Sequence, residues 1–307
     1  MTVAQTTQFR AVRPRPRTAA GRLRALWFGV LGILSVAALW ELYKWLGPED
    51  GVVIAGVRVL PRTTDLAMPH IWEMVARLFE PTTSQPGAIP LWETVAQAAL
   101  VSLGLAGVGW LVGTTVGIGL GLLMQVIRVA EYGLLPWIVL SQTVPLIAFA
   151  PVVKNWGAQI EIGDWRWPQW LSVSLIASYL AFFPVAVGML KGLQSPPRTH
   201  TELMHTYAAS TWATLLRVRL PAAVPYLLPA LRLGAASAVV GTVVAEVSTG
   251  FLDGIGRLLV AYAGQASGDP AKAWAPIFGA IALGLVAAGL VALIGLALRN
   301  YRRGEAT

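Results

Sequence analysis

Few side chains in this 307-residue chain could do chemistry, and their spacing removes most of the options. There is no cysteine, which excludes disulfides, thiolate zinc sites and iron–sulfur clusters. The histidines are His70, His200 and His205. The last two stand five apart and do not share a helix face, so no metal site is expected. No Gly-x-x-x-x-Gly-Lys-Ser/Thr run, no Ser/His/Asp grouping and no paired carboxylates within an apolar run occur. Neither nucleotide-phosphate binding nor catalysis is therefore expected of this chain, and no cofactor is implied. What remains is a small set of polar residues in apolar surroundings. Gln142 and Thr143 precede Pro145 and Pro151, and prolines free backbone carbonyls where a helix lines a cavity or packs on neighbours. Gln142, Thr143 and Pro145 are candidates for the wall of a passage, with interhelical hydrogen bonding as the even alternative. Arg232 and Glu246 lie on one apolar run, roughly 21 Å apart if it is helical. A charge within a membrane marks function by default. Arg232 is close enough to one end of its run to snorkel, and Glu246 is near the other end, where structure and function are equally served.

The elements that must hold these residues are apolar and long. Hydrophobic residues make up 56% of the chain and charged residues 12%, with a mean hydropathy of +0.63, which is the balance of an integral membrane protein. Six spans are expected, at 26–46 and then near 94–125, 134–153, 170–190, 222–247 and 274–298. Gly109, Gly113, Gly117 and Gly121 recur every fourth residue on the second, marking a face for close approach of another backbone. Packing within the subunit is preferred there over a dimer seam. The fifth run carries a similar face of small residues, Gly234, Ser237 or Ala238, Gly241 and Ala245. Between the first two spans, Pro69 to Phe79 reads as a short amphipathic helix, serving either as a lid over helix ends or as a contact for a binding protein. Trp156, Trp165, Trp167 and Trp170 read as an interfacial belt. Net charge is +8, but the basic residues cluster beside the apolar runs, as membrane orientation requires, so nucleic acid is not an expected partner.

Between the fourth and fifth spans lies a polar, helix-forming stretch, Glu202 to Pro221. Ser195, Pro196 and Pro197 break the preceding helix, and Thr199 or Thr201 is expected to cap a first short helix. Ser210 is expected to cap a second, and Pro221 to close it. Leu203, Met204, Tyr207 and Ala208 recur at helical spacing, as do Trp212, Leu215 and Leu216, so each helix has an apolar face. A loop that only reversed direction needs a few residues, so this one reads as a docking surface.

This stretch resembles the loop signature of the membrane subunit of bacterial ABC importers: Glu-Ala-Ala, three residues, Gly, about nine residues, then an aliphatic position and Leu-Pro. Aligned on Leu220-Pro221, Glu202 falls on the Glu, Leu203 and Met204 replace the alanines, and Ala208 replaces the Gly. Leu220-Pro-Ala-Ala-Val-Pro-Tyr, Leu231-Arg-Leu, Val243-Val-Ala-Glu246, Gln142-Thr-Val-Pro145 and Phe182-Phe183-Pro184 resemble the nitrate/sulfonate/taurine branch of these permeases. Thr249 to Arg257, rich in glycine, resembles the short dipping segment between the last two spans of that family.

The resemblance implies an all-α integral membrane protein with six transmembrane helices and the type I ABC importer permease fold. It implies a non-enzymatic permease subunit whose partners are two copies of a cytoplasmic ATP-binding subunit, a second permease subunit (a homodimer preferred) and an extracytoplasmic solute-binding protein, all assembled in the lipid bilayer. Glu202, Tyr207, Ala208, Ser210, Trp212, Leu220 and Pro221 would couple to the ATPase. Gln142, Thr143, Pro145, Phe182, Phe183, Ser237, Gly241 and Glu246 are candidates for the translocation path. Because alanine disfavours positive φ, a right-handed helical turn is expected at Ala208. A sulfonate-, taurine- or nitrate-like anion is slightly preferred as solute over a pyrimidine- or riboflavin-type vitamin precursor. An ion-gradient-coupled secondary carrier is the alternative function, although no internal repeat and no charge near mid-run supports it. Lys and Arg number fourteen on the segments that share a side with the N-terminus and seven on the others. This bias puts both termini in the cytoplasm of a bacterium whose inner (plasma) membrane the chain spans. The expected division is 1–25 cytoplasmic basic tail, 26–46 first span, 47–90 extracytoplasmic connection, 91–300 permease core with five spans and the coupling loop 195–221, and 301–307 cytoplasmic tail.

Overall fold

The computed structural model of the chain describes residues 19–54 and 56–297. The expected cytoplasmic tails lie wholly or largely outside these residues. The chain divides into two units near Thr64. In the first, helix α1 (Ala19–Leu46) contains the apolar stretch Trp27–Leu46, long enough to cross a membrane. The hairpin that follows it, β1 (Val52–Ile54) with β2 (Val57–Leu60), was not foreseen in the sequence. It returns to the end of α1, where Tyr43 Oη donates to Pro61 O and Thr63 Oγ1 donates to Gly47 O.

The second unit is built on three long helices: α3 (Leu91–Val126), α6 (Gln169–Leu193) and α9 (Leu220–Thr249). The central one is α6, its apolar stretch the most deeply buried of the set. Its position follows from small residues on both neighbours. A Cβ added at Gly113 would sit 2.7 Å from Ser178 O, and one at Gly117 would sit 2.7 Å from Phe182 O. The four glycines of α3 thus bring its backbone against α6, so the seam lies within one subunit. On the other side Gly234, Ala238, Gly241 and Ala245 of α9 are buried, and a Cβ on Gly241 would sit 3.1 Å from Ala177 Cα. Such close backbone contact supplies dispersion and weak hydrogen bonding where lipid removes the hydrophobic contrast between helices. Trp110 Nε1 donates to Leu231 O at 3.0 Å, tying α3 to α9 as well. Helix α11 (Ala275–Ala297) packs on α3 and α9.

The third span departs from expectation. Two helices, α4 (Arg128–Ser141) and α5 (Leu146–Gly157), meet at 102° instead of forming one rod through 134–153. Pro145 stands in the extended region, φ −61° and ψ 112°, and a proline pushes its predecessor out of helical conformation. The freed carbonyls find donors: Ser141 Oγ to Ile138 O, Thr143 Oγ1 to Leu140 O, and Tyr179 Oη from α6 to Ser141 O. Five helices are individually long and apolar enough to cross a membrane, and counting the bent pair as one span gives six.

The short helix read from Pro69 to Phe79 is present as α2 (Ile71–Leu78), started by Glu73 Oε2 accepting the His70 N–H. Arg77 pairs with Asp269 at 2.8 Å, and Lys272 Nζ donates to Thr82 O and Gln265 Oε1. This clamps the segment over the ends of α10 (Ile255–Ala263) and α11, the lid arrangement. Of the expected tryptophan belt, Trp156, Trp165 and Trp170 are exposed, while Trp167 packs on Gly157 and donates to Ser172 Oγ.

Candidate functional site

The stretch singled out in sequence follows α6 at once. Helix α7 (Arg198–Thr206) starts after Pro197, whose backbone is extended and which offers no side-chain cap, so neither Thr199 nor Thr201 caps it. Thr201 Oγ1 instead donates back to Arg198 O inside the first turn. The helix ends on Tyr207 in a Schellman arrangement: Ala208 N donates to His205 O and Ala209 N to Met204 O, both at 2.9 Å. That closure requires a left-handed residue at Ala208, and Ala208 has φ 50°, the sole non-glycine residue with positive φ among those described. The expected right-handed turn is therefore wrong. The signal was in the signature itself, where glycine occupies this place, the residue that populates positive φ without steric cost.

Ser210 then starts α8 (Thr211–Thr214) as expected, its Oγ accepting the Ala213 N–H at 3.2 Å. Pro221 does not end this helix. The chain passes through one wide turn, Leu215–Arg219, with Leu220 N–H donating five residues back to Leu215 O, and continues into α9. Pro221 has no N–H to donate within this run, and the wide turn before it makes room for its ring. A single helical run thus leads from Thr211 to Thr249, so α8 is continuous with α9. The loop's large apolar side chains are left in the open: Leu203, Tyr207, Trp212 and Leu216 are 53 to 77% exposed. Glu202 is also exposed, as are Ala208 and Pro221, and Leu220 is half-buried.

The candidates for a passage fall into two groups. Gln142 caps the end of α4, Thr143 is exposed in the 102° break, and Pro145 starts α5. Phe182 and Phe183 of α6 are half-buried and pack against the cluster of Met124, Ile138 and Leu190, with Tyr179 and Phe182 rings 5.9 Å apart. Ser237 is half-buried on α9. Gly241 and Glu246 are instead closed inside the bundle.

Glu246 has no exposed surface. One carboxylate oxygen accepts Ser102 Oγ of α3 at 2.6 Å, and the other accepts the Gly256 N–H at 2.8 Å. Ser102 Oγ in turn accepts the Ile255 N–H at 2.9 Å. The carboxylate and hydroxyl therefore take two of the N–H groups that the start of α10 leaves without partners, at the end where the helix dipole favours negative charge. A Cβ at Gly254 or Gly256 would run into this carboxylate. The glycine spacing was visible in the sequence, but Ser102, alone in a long apolar helix, gave no sign of its partner. Beside it α9 stops at left-handed Gly250, φ 66°, and its last carbonyl, Thr249 O, accepts from Lys154 Nζ and Gln169 Nε2. Arg232 lies half the helix away, its Nη2 close to Gly295 of α11.

Among known proteins, the family model described as binding-protein-dependent transport system inner membrane component matches residues 113–300. The formylaminopyrimidine transport permease protein ThiX of Halalkalibacterium halodurans is 29% identical over 90% of this chain and 96% of its own length. The riboflavin transport system permease protein RibX of Chloroflexus aurantiacus is 32% identical over 43% of this chain and 46% of its own. The putative aliphatic sulfonates transport permease protein SsuC of Bacillus subtilis is 28% identical over 83% and 79%.

Proposed function

The chain belongs to the binding-protein-dependent transport system inner membrane component family, and from that premise we propose that it forms the translocation path of an ATP-driven importer for a small solute. It is a multi-pass inner-membrane ABC permease of the nitrate/sulfonate branch. In our reading ATP is hydrolysed on two copies of a separate cytoplasmic subunit, a second copy of this chain completes the path, and an extracytoplasmic receptor delivers the solute. Both termini lie in the cytoplasm in this assignment, on the side of α7 and α8. The observation that carries the proposal is the loop: two short helices display Leu203, Tyr207, Trp212 and Leu216 to solvent, and the second runs unbroken into the bundle. Apolar side chains exposed together on an otherwise polar loop fit a protein contact. The continuous run supports mechanical transfer from that contact to α9.

We assign the wall of the path to the break in the third span, with Gln142, Thr143 and Pro145, and to Phe182, Phe183 and Ser237. Gly241 and Glu246 serve packing and the seating of α10. An amide, a hydroxyl and aromatic rings at the break, without a cation among them, suit an uncharged heteroaromatic solute better than a sulfonate. This supports the pyrimidine-type solute over the sulfonate, and formylaminopyrimidine is the solute in the name of the relative that aligns over 96% of its length. Proteoliposomes test the proposal. Uptake should require the ATPase subunit, ATP and the loaded receptor, and an ion gradient imposed on the chain alone should drive none. Gradient-driven uptake by the isolated chain would make it a secondary carrier instead. The ligand that co-purifies with the receptor decides between heterocycle and sulfonate.

A further inference from the structure

At the end of the bundle that carries α7, a cavity of about 510 Å3 opens between the α3–α4 junction, the end of α6 and the start of α7. Arg128, Arg198 and Arg219 belong to its wall, and none of the three forms an ion pair among the described residues. The one carboxylate in the wall, Glu131, accepts Gln194 Nε2 at 2.9 Å instead. Arg128 and Arg198 are also the first residues of α4 and α7, whose caps, Ile127 and Pro197, supply no side-chain acceptor. Two sets of unpartnered backbone N–H groups thus accompany the three guanidiniums, an arrangement that favours an anion. Outside the cavity mouth, Ile127, Val129 and Tyr132 are 48 to 80% exposed, an apolar flank beside a cationic pocket.

We propose that this cavity binds a phosphate diester, supplied by the headgroup of an anionic phospholipid in the leaflet at this end of the bundle. The arginines and helix ends would hold the phosphate, and the acyl chains would run along the apolar flank. A free phosphate has no use for that flank, and an acidic protein segment would leave it uncovered. The inference rests on the membrane placement of the bundle and not on transport or ATPase docking.

The full chain, extracted in mild detergent, is equilibrated with phosphatidylglycerol, phosphatidylcholine or inorganic phosphate, and the bound species are counted by native mass spectrometry. We expect one phosphatidylglycerol per chain retained in preference to phosphatidylcholine. Each of Arg128→Gln, Arg198→Gln and Arg219→Gln should weaken retention about fivefold, the worth of one cation near an anionic headgroup. Arg217→Gln, a loop arginine outside the wall, should leave it unchanged. The single variants carry the test even where a triple variant does not assemble. Equal retention of the two lipids, or a loss with Arg217→Gln as large as with the wall arginines, would overturn the proposal. Arginine-dependent binding of inorganic phosphate without any of phosphatidylglycerol would also overturn it and assign the pocket to a soluble phosphate.

Discussion

Ala208 holds a conformation that costs an L-residue roughly 1–2 kcal/mol, with part of that offset by alanine's smaller loss of freedom on folding relative to glycine. Ala208→Gly should therefore stabilise the loop by about 0.5–1 kcal/mol, and Ala208→Val should loosen it, because β-branched residues accept left-handed φ least. Limited proteolysis across 198–215 reads both changes, with slower cleavage for the glycine and faster for the valine. Glu246 makes the opposite kind of residue-scale prediction. Its two hydrogen bonds involve a buried acidic group, worth about 1.5–3 kcal/mol each, so Glu246→Ala should lower the melting temperature sharply and expose α10 to exchange. Glu246→Gln, which keeps an acceptor, should cost less. The sequence marked both residues as important. It misassigned the backbone of the first because a propensity was weighed without the turn that demands it. The role of the second stayed open because Ser102 and Gly256 reach it from 144 and 10 residues away.

At the scale of elements, the spacing of small residues marked the close-packed faces of α3 and α9, but not that α6 is the helix on which both pack. Gly117→Ala places a Cβ 2.7 Å from Phe182 O and should cost about 1–3 kcal/mol by overpacking. Gly119→Ala, on the same helix with nothing within 4 Å of the added carbon, should be neutral or gain up to ~1 kcal/mol of helix propensity. Thermal unfolding of the two variants in detergent separates a packed face from a free one, and equal effects would mean that the glycines do not define the seam. Prolines were harder to read. Pro145 bends its span by 102°, whereas Pro221, Pro225 and Pro229 sit inside one helical run. The difference lies in what satisfies the carbonyls: Ser141, Thr143 and Tyr179 offer alternative donors at the bend, while a single wide turn absorbs Pro221 without breaking the chain of hydrogen bonds. Hydropathy alone carries no trace of either arrangement.

For the whole molecule, composition and apolar run lengths made the membrane class legible, and the loop signature made the family legible despite three substitutions in it. The hairpin after α1 was missed although its strands are only two residues apart in the chain. The lid was one of two readings of Pro69 to Phe79, and only its clamp, Arg77 on Asp269 from 192 residues away, leaves no local pattern. Orientation is a prediction of the charge bias. With no native cysteine present, Ser84→Cys should react with an impermeant reagent on intact cells and Thr211→Cys only after lysis. The central claim is that the exposed loop transmits the work of a separate ATPase to the path, and one measurement tests it most directly. ATP hydrolysis and solute uptake are followed together in proteoliposomes holding the chain, its ATPase and the loaded receptor, with Ala208→Gly and Ala208→Trp compared with the unchanged chain. The account predicts coupled activity for Ala208→Gly, and for Ala208→Trp an uptake at background with hydrolysis no longer responding to the receptor. Unaltered assembly, hydrolysis and uptake with Ala208→Trp would contradict it.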